Sequence, residues 1–436
     1  MSQSTTTRIR RAAAIAAVAA VGVSLAACSG GASGSGSGSG GGSSAKEPQS
    51  FTFAFSEANT KDNSLEQVAT AFEKLHKGVK ITIQKLPAES VGQAIATRVQ
   101  GGNAPDVFAA ESGIGQVNAI QPWAKAGLLL PITDPAVTTA LKPAGLSQFQ
   151  YGGKTYAVSR GSGLNGIIWN ADAAKSIGVN LTDSSTFQDV LSGCAAAKAK
   201  GKSLFGLAGA VPPNPGILAQ IIATSTVYGP DQNWNTERAA GKVKFATTAG
   251  WKQALEAIQT MYKQGCFQPG ATGAGFDALT NGASSGQFFG FFAPGGAAAS
   301  VNAASGGHVH LTVLPLPSPS GTTYASVSSD QVVAASAKTK SPKLVQQFLS
   351  YIAGPDGQKV VSVGVGYPVG TKDASALPDT YKPVASILTS PNVRSFPSIE
   401  WTNGKISNDL GAGVQGILTG QKTVAQVLDQ LDTDWG

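Results

Sequence analysis

Several stretches carry residue types spaced for chemistry. Gly161, Gly163 and Gly166 in "KTYAVSRGSGLNGIIWN" satisfy G-x-G-x-x-G. That pattern wraps a pyrophosphate when a strand precedes it and a helix opens at the third glycine. "TYAV" reads as the strand, but the β-branched and aromatic "IIWN" follows, so the chain runs on as a second strand. Strand, glycines, strand is how a chain crosses between two lobes. A second copy of the pattern, Gly411 to Gly416, follows "KISND", which is no strand. Gly282-Ala283-Ser284-Ser285-Gly286 matches G-x-S-x-G, yet a nucleophile elbow needs a strand before it and a helix after it. Here "DALTN" precedes and the strand-like "QFFGFF" follows. Of the three histidines, His76 ends an amphipathic helix, where a cation suits the dipole. His308 and His310 alternate on one expected strand face, with no Asp or Glu between residues 278 and 329 to complete a metal site. No metal and no cofactor is expected. Glycosidase chemistry needs two carboxylates across a sugar, and Glu57 and Glu111 are the pair that could stand so. A secreted glycoside-processing hydrolase is therefore the enzymatic alternative to a binding protein; the reading favoured is no enzyme.

The elements that would position these residues alternate between strand and helix. "FTFAF" is a strand, and "SLEQVATAFEKLH" a helix with Leu65, Val68, Phe72 and Leu75 on one face. "VKITIQKL" is a strand, "SVGQAIATRVQGG" a helix ended by its glycines, and "PDVFAA" a third strand. This β-α-β-α-β order predicts a mostly parallel sheet with helices on both faces. Ligands lie beyond the carboxyl ends of such strands. The first strand ends into Glu57 and Asn59 and the third into Glu111 and Ser112, which makes these four the candidate ligand contacts. The second half repeats the style. The helix "TAGWKQALEAIQTMYKQGC" buries Trp251, Leu255, Ile258 and Tyr262, and "GQFFGFFAP" and "HVHLTVLPL" read as strands. "SPKLVQQFLSYIA" and "TVAQVLDQLDTDW" are helices.

At 436 residues the chain suits two domains. The formal charge is +7, and removing the three arginines of residues 1–27, which hold no acids, leaves +4. No basic stripe with interleaved aromatics appears, so no nucleic-acid partner is expected. Residues 1–27 read as a signal peptide: "RIRR" is followed by a sixteen-residue apolar run, short for a membrane span of ~20. Leu25-Ala26-Ala27-Cys28 resembles the lipobox of bacterial lipoproteins, which implies a lipidated Cys28 and a body anchored at the outer face of the cell membrane. Residues 28–49 form the lipidated cysteine and a Gly/Ser tether. The stretch 29–46 is a flexible coil that places the body roughly 20–25 Å from its anchor. The remaining cysteines, Cys194 and Cys266, are an even pair in an oxidising compartment and read as a disulfide, with two buried free thiols as the alternative.

Six segments taken in order resemble the extracellular solute-binding proteins of ABC importers, the family that includes maltose-binding protein. "AFEKLHKGVKITIQ" is similar to the family's "F-E-K-x-H-P-G-I-K-V" step, and "GNAPDVFAAES" to "G-x-A-P-D-V". "WAKAGLLLPIT", "GKTYAVSRGSGLNGIIWNADAAKSIGV", "SSGQFFGFFAPG" and "LTGQKTVAQVLDQL" resemble later family segments. The resemblance implies an α/β, two-lobe periplasmic-binding-protein (Venus flytrap) fold, each lobe a mostly parallel sheet flanked by helices. Lobe 1 would hold 50–159 with 327–366, and lobe 2 would hold 160–326 with 367–436. Gly161, Gly163 and Gly166 then become hinge residues, and Arg160 and Asp330 lie at crossovers within reach of the ligand. Tyr367 stands at the last crossover, and Trp401 in "PSIEWTNG" resembles the family's stacking tryptophan. Where the family's "G-P-W" carries another stacking ring, this chain has Pro294-Gly295-Gly296. Fewer rings suggest a ligand smaller than a maltodextrin, or a non-sugar, with a mono- or oligosaccharide favoured. The implied partners are that solute, a transmembrane permease and the membrane through the lipid anchor, with the protein a monomer.

Overall fold

The structure is a computed structural model and describes residues 49–436 apart from 57–62, 88–89, 307 and 330. The chain opens with β1 (Ser50–Ser56), β2 (Lys80–Leu86) and β3 (Val107–Glu111), alternating with helices Ser64–Leu75 and Val91–Gln100. β1 runs parallel between β2 and β3. Its Phe51 and Phe53, together with Phe72 of the first helix, surround Phe348 of helix Pro342–Ala353, with ring centroids 5.1–5.5 Å apart. Such aromatic pairs add about 0.5–1.5 kcal/mol each beyond their buried area. The first helix starts where Asn63 accepts from the Leu65 amide at 3.0 Å, satisfying a donor the helix itself cannot.

A hairpin of β4 (Gln150–Tyr151) and β5 (Lys154–Thr155) leads to β6 (Ala157–Ser159). The chain then crosses into β7 (Gly163–Trp169), β8 (Ser203–Gly206), β9 (Phe288–Pro294), β10 (Thr312–Leu314) and β11 (Ala325–Ser328). It returns for β12 (Gln331–Ala335) and comes back once more for β13 (Val393–Ser395). One sheet has the order β2-β1-β3-β12-β6, and the other β13-β11-β7-β9-β8 with β10 also paired to β7. Two separate cores result. One gathers buried side chains from 51–158 and 332–361, the other from 164–325 and 367–435. β7 is buried along its whole length because β9 flanks it on one side and β10 and β11 share the other. Cys194, on helix Phe187–Ala199, is bonded to Cys266, just past helix Ala249–Lys263.

Two expectations need correction. Leu75 is 64% exposed and Tyr262 37% exposed, although the helical period puts both in line with buried neighbours. Each lies in the last turn of its helix. His308 and His310 precede β10 rather than lying in it. Their neighbours' backbone groups are taken by the preceding helix and the turn after it instead: Asn302 bonds both the amide and the carbonyl of Leu311, and the Val309 amide donates to Ser305 Oγ. Ser284 lies inside helix Phe276–Ser285, and Gly411 and Gly416 inside helix Gly404–Leu418. There Gly411 lets the helix backbone touch that of Pro212, with no room for a Cβ.

Candidate functional site

The carboxyl ends of β1, β3 and β6 point the same way, and the crossings between lobes leave from that end. Short polar side chains strap the crossings together. Ser162 and Tyr367 exchange backbone hydrogen bonds of 2.7 and 2.9 Å, and Ser162 Oγ lies 2.7 Å from Ser329 Oγ. Gln358 Nε2 donates to the Ser159 carbonyl at 2.9 Å, while its Oε1 accepts from the Val369 amide. Gly161 has φ +151, a conformation that side chains rarely adopt, and a Cβ there would stand 2.8 Å from Ser362 Cβ and the Tyr367 carbonyl. It therefore lies in the first crossing with a backbone that only glycine adopts readily. Gly163 and Gly166, by contrast, lie within β7, and Gly166 is paired with Ala293 of β9. Gly166 serves close approach: a Cβ would run into the Leu314 carbonyl of β10.

At the end of β3, Glu111 stands opposite Gln331 in the β3–β12 register. Arg160 joins them. Its Nη1 donates to Gln331 Oε1 at 2.7 Å, its Nη2 lies 3.4 Å from Ser64 Oγ, and its amide donates to the Gln331 carbonyl. Burial lowers the Arg160 pKa to about 10, and the attraction of Glu111 works against that, so the guanidinium stays charged at neutral pH. Part of the residue is exposed, yet Nε is sealed from solvent and has no hydrogen-bond partner. Gly364 keeps the roof low: a Cβ there would stand 3.0 Å from Nη2. The arrangement is a fixed cation beside acceptors, suited to a polar ligand that offers oxygen atoms.

The structure thus brings together Glu111 and Arg160 and adds Gln331 and Ser64, which the sequence did not single out. Gln331 opens its strand directly across from Glu111, and only the register shows that. Glu57, Asn59, Asp330 and Cys28 lie outside the described residues. Three other candidates are used inside the fold. Ser112 is buried and donates to Gln148 Oε1 at 2.7 Å. Tyr367 is buried edge-on against Tyr381 at 5.1 Å, and burial pushes its hydroxyl pKa up. Trp401 is fully buried against Trp251 and Phe245, with Nε1 donating to Tyr228 Oη. Its faces are covered by the chain's own rings, which corrects the expectation of a stacking platform. At Pro294-Gly295-Gly296, Gly295 runs beneath the Tyr381 hydroxyl and Gly296 beside the Gly364 carbonyl, so neither position has room for a side chain.

Two α/β lobes are thus joined by strapped crossings, with polar groups gathered at the strand ends beside them. The chain belongs to the bacterial extracellular solute-binding protein family, whose model matches residues 57–359. A search of curated protein sequences returned no match. Among solved structures, the chain is similar to one from work on xylan utilization by the thermophilic bacterium Caldanaerobius polysaccharolyticus. The TM-score is 0.74 at 17% identity, covering 88% of this chain and 99% of that one. It is also similar to the GacH receptor of Streptomyces glaucescens (TM-score 0.67, 16% identity, 88% and 97% covered). A third is a sugar transporter from Bacillus licheniformis in complex with stachyose (TM-score 0.63, 17% identity, 88% and 98% covered). At such identities the likeness shows the fold, which is the two-lobe α/β fold. Among the described residues no helix is long and apolar enough to cross a membrane.

Proposed function

We propose that this chain is the lipid-anchored substrate-binding protein of an ABC transporter. It captures a small polar solute, a mono- or oligosaccharide, between its lobes and delivers it to a membrane permease. The carrying observation is Arg160: a charged guanidinium at the lobe junction, held by Gln331 and Ser64 beside Glu111, with one sealed donor still unpaired. The sealed donor is out of a ligand's reach, and a ligand oxygen would meet the part of the guanidinium side chain that stays exposed, where a hydrogen bond to a charged group is worth about 1.5–3 kcal/mol. The sugar reading is supported by similar folds whose structures hold acarbose, in the GacH receptor, and stachyose, in the Bacillus licheniformis protein. Lobe 1 is taken as 50–159 with 327–366 and lobe 2 as 160–326 with 367–436, supported by the two separate cores. Cys28 would carry the lipid, and the Gly/Ser stretch after it would let the body reorient at the membrane.

A thermal-shift panel tests this on a soluble chain starting at Lys46, which retains every residue of both cores. One sugar among mono- and disaccharides, polyols, amino acids and peptides is expected to raise the melting temperature by several degrees. Ligand at 100 times Kd adds about 2.7 kcal/mol to the folded state. No response to any sugar, with a folded control, overturns the reading. Arg160→Gln should weaken binding of the responding sugar roughly ten- to hundredfold, the worth of about 1.5–3 kcal/mol for a hydrogen bond from a charged group. Titration calorimetry checks it, and unchanged affinity would make Arg160 a strap between crossings only.

A further inference from the structure

The loop after β3 and the segment after β13 meet at glycines, whose backbone lies against the backbone of the other segment. A Cβ on Gly113 would run into the Ile399 carbonyl oxygen, and one on Gly115 into that of Ser398, both closer than real Cβ contacts come. From the other side, a Cβ on Gly404 would stand 3.0 Å from the Gly115 carbonyl oxygen. Gly113 belongs to the lobe built on β1–β3, and residues 397–404 to the lobe built on β7–β11 and β13.

Each partner is braced within its own lobe. The Gly113 amide donates to the Gln148 carbonyl at 2.8 Å, the Gln121 amide donates back to Gly113, and Ser112 Oγ fixes Gln148. Opposite, the Ser398 amide donates to Gln220 Oε1 at 3.0 Å, Asn235 Nδ2 donates to the Pro397 carbonyl, and Trp401 is locked in the core. Neither loop can yield by rearranging alone, because each is held by buried polar groups whose loss is costly. What yields is the angle between the lobes.

We propose that Gly113, Gly115 and Gly404 form a backbone clasp that lets the lobes shut at this end of the cleft. In that arrangement the clasp is a stop past which no ligand extends. The three glycines matter because contacts made at positions with no Cβ can make and break as the lobes rock, with no side chain of their own to wedge them. The inference uses the two-lobe fold and needs no identity for the solute.

Spin labels at Lys80→Cys and Lys252→Cys, both exposed and on different lobes, report the interlobe distance in the chain starting at Lys46. The unliganded wild type should populate the separation found in this structure. Gly115→Ala should move the distribution to longer distances with its melting temperature unchanged, since the Gly115 backbone is not left-handed. Gly404→Ala, the milder wedge, should move it less. Identical distributions in wild type and Gly115→Ala overturn the proposal, and so does a wild type that never reaches the clasped distance. Because no ligand is used, a failed sugar panel leaves this test standing.

Discussion

Trp401→Ala lowers the stability of the folded chain by about 3–5 kcal/mol, the cost of removing a large ring from a packed core. The indole is fully buried, and rings of Trp251 and Phe245 lie 6.0 and 5.8 Å from it. Its Nε1 donates to Tyr228 Oη, so truncation also removes a donor to that buried phenol, which keeps its own bond to Asn235 Oδ1. The same cluster takes in Trp234 and Trp435, and the last helix docks on it. Loss should therefore spread to the carboxyl-terminal helix. Urea unfolding measures it: the midpoint falls strongly for Trp401→Ala and less for Trp401→Phe, which keeps a ring. A Trp401→Ala chain that keeps its midpoint and loses sugar affinity would return this residue to the ligand.

Replacing Cys194 and Cys266 together by alanine costs about 4 kcal/mol in the chain-entropy account, because the bond closes a separation of 72 residues. Both cysteines are fully buried. The bond ties helix Phe187–Ala199 to the strand-like step after helix Ala249–Lys263, where Phe267 bridges to Phe205 of β8. The loss falls on the lobe built around β7. Its melting temperature is expected to drop by roughly 8–16 °C, with the other lobe much less affected. Calorimetry with and without reductant provides the parallel measurement. A double variant as stable as wild type would mean that the unbonded chain loses little freedom when it folds.

Much of the fold was readable because local periodicity and end signals are local physics. "FTFAF" became β1. Pro342 opens its helix at the first turn. The errors cluster at the ends of elements. Leu75 and Tyr262 follow the correct helical angle and still leave the core, since the pattern does not say how far along the helix the packing extends.

The site was less readable. By itself the chain determined an alternating α/β order, two strands joined by glycines instead of a phosphate loop, and Glu111 and Arg160 as polar residues near strand ends. Strand period, helix period and turn chemistry act over a few residues, so they survive without tertiary context. Tertiary structure alone decided that Gln331 faces Glu111, that Gly166 serves β10 rather than a hinge, and that Trp401 belongs to a core. Each of these depends on which distant segment lies alongside: Gln331 on strand register, Gly166 on the Leu314 carbonyl, Trp401 on rings 150 or more positions earlier in the chain. Whether a polar group or a ring is spent inside the fold or left for a ligand is set by neighbours far away in the chain.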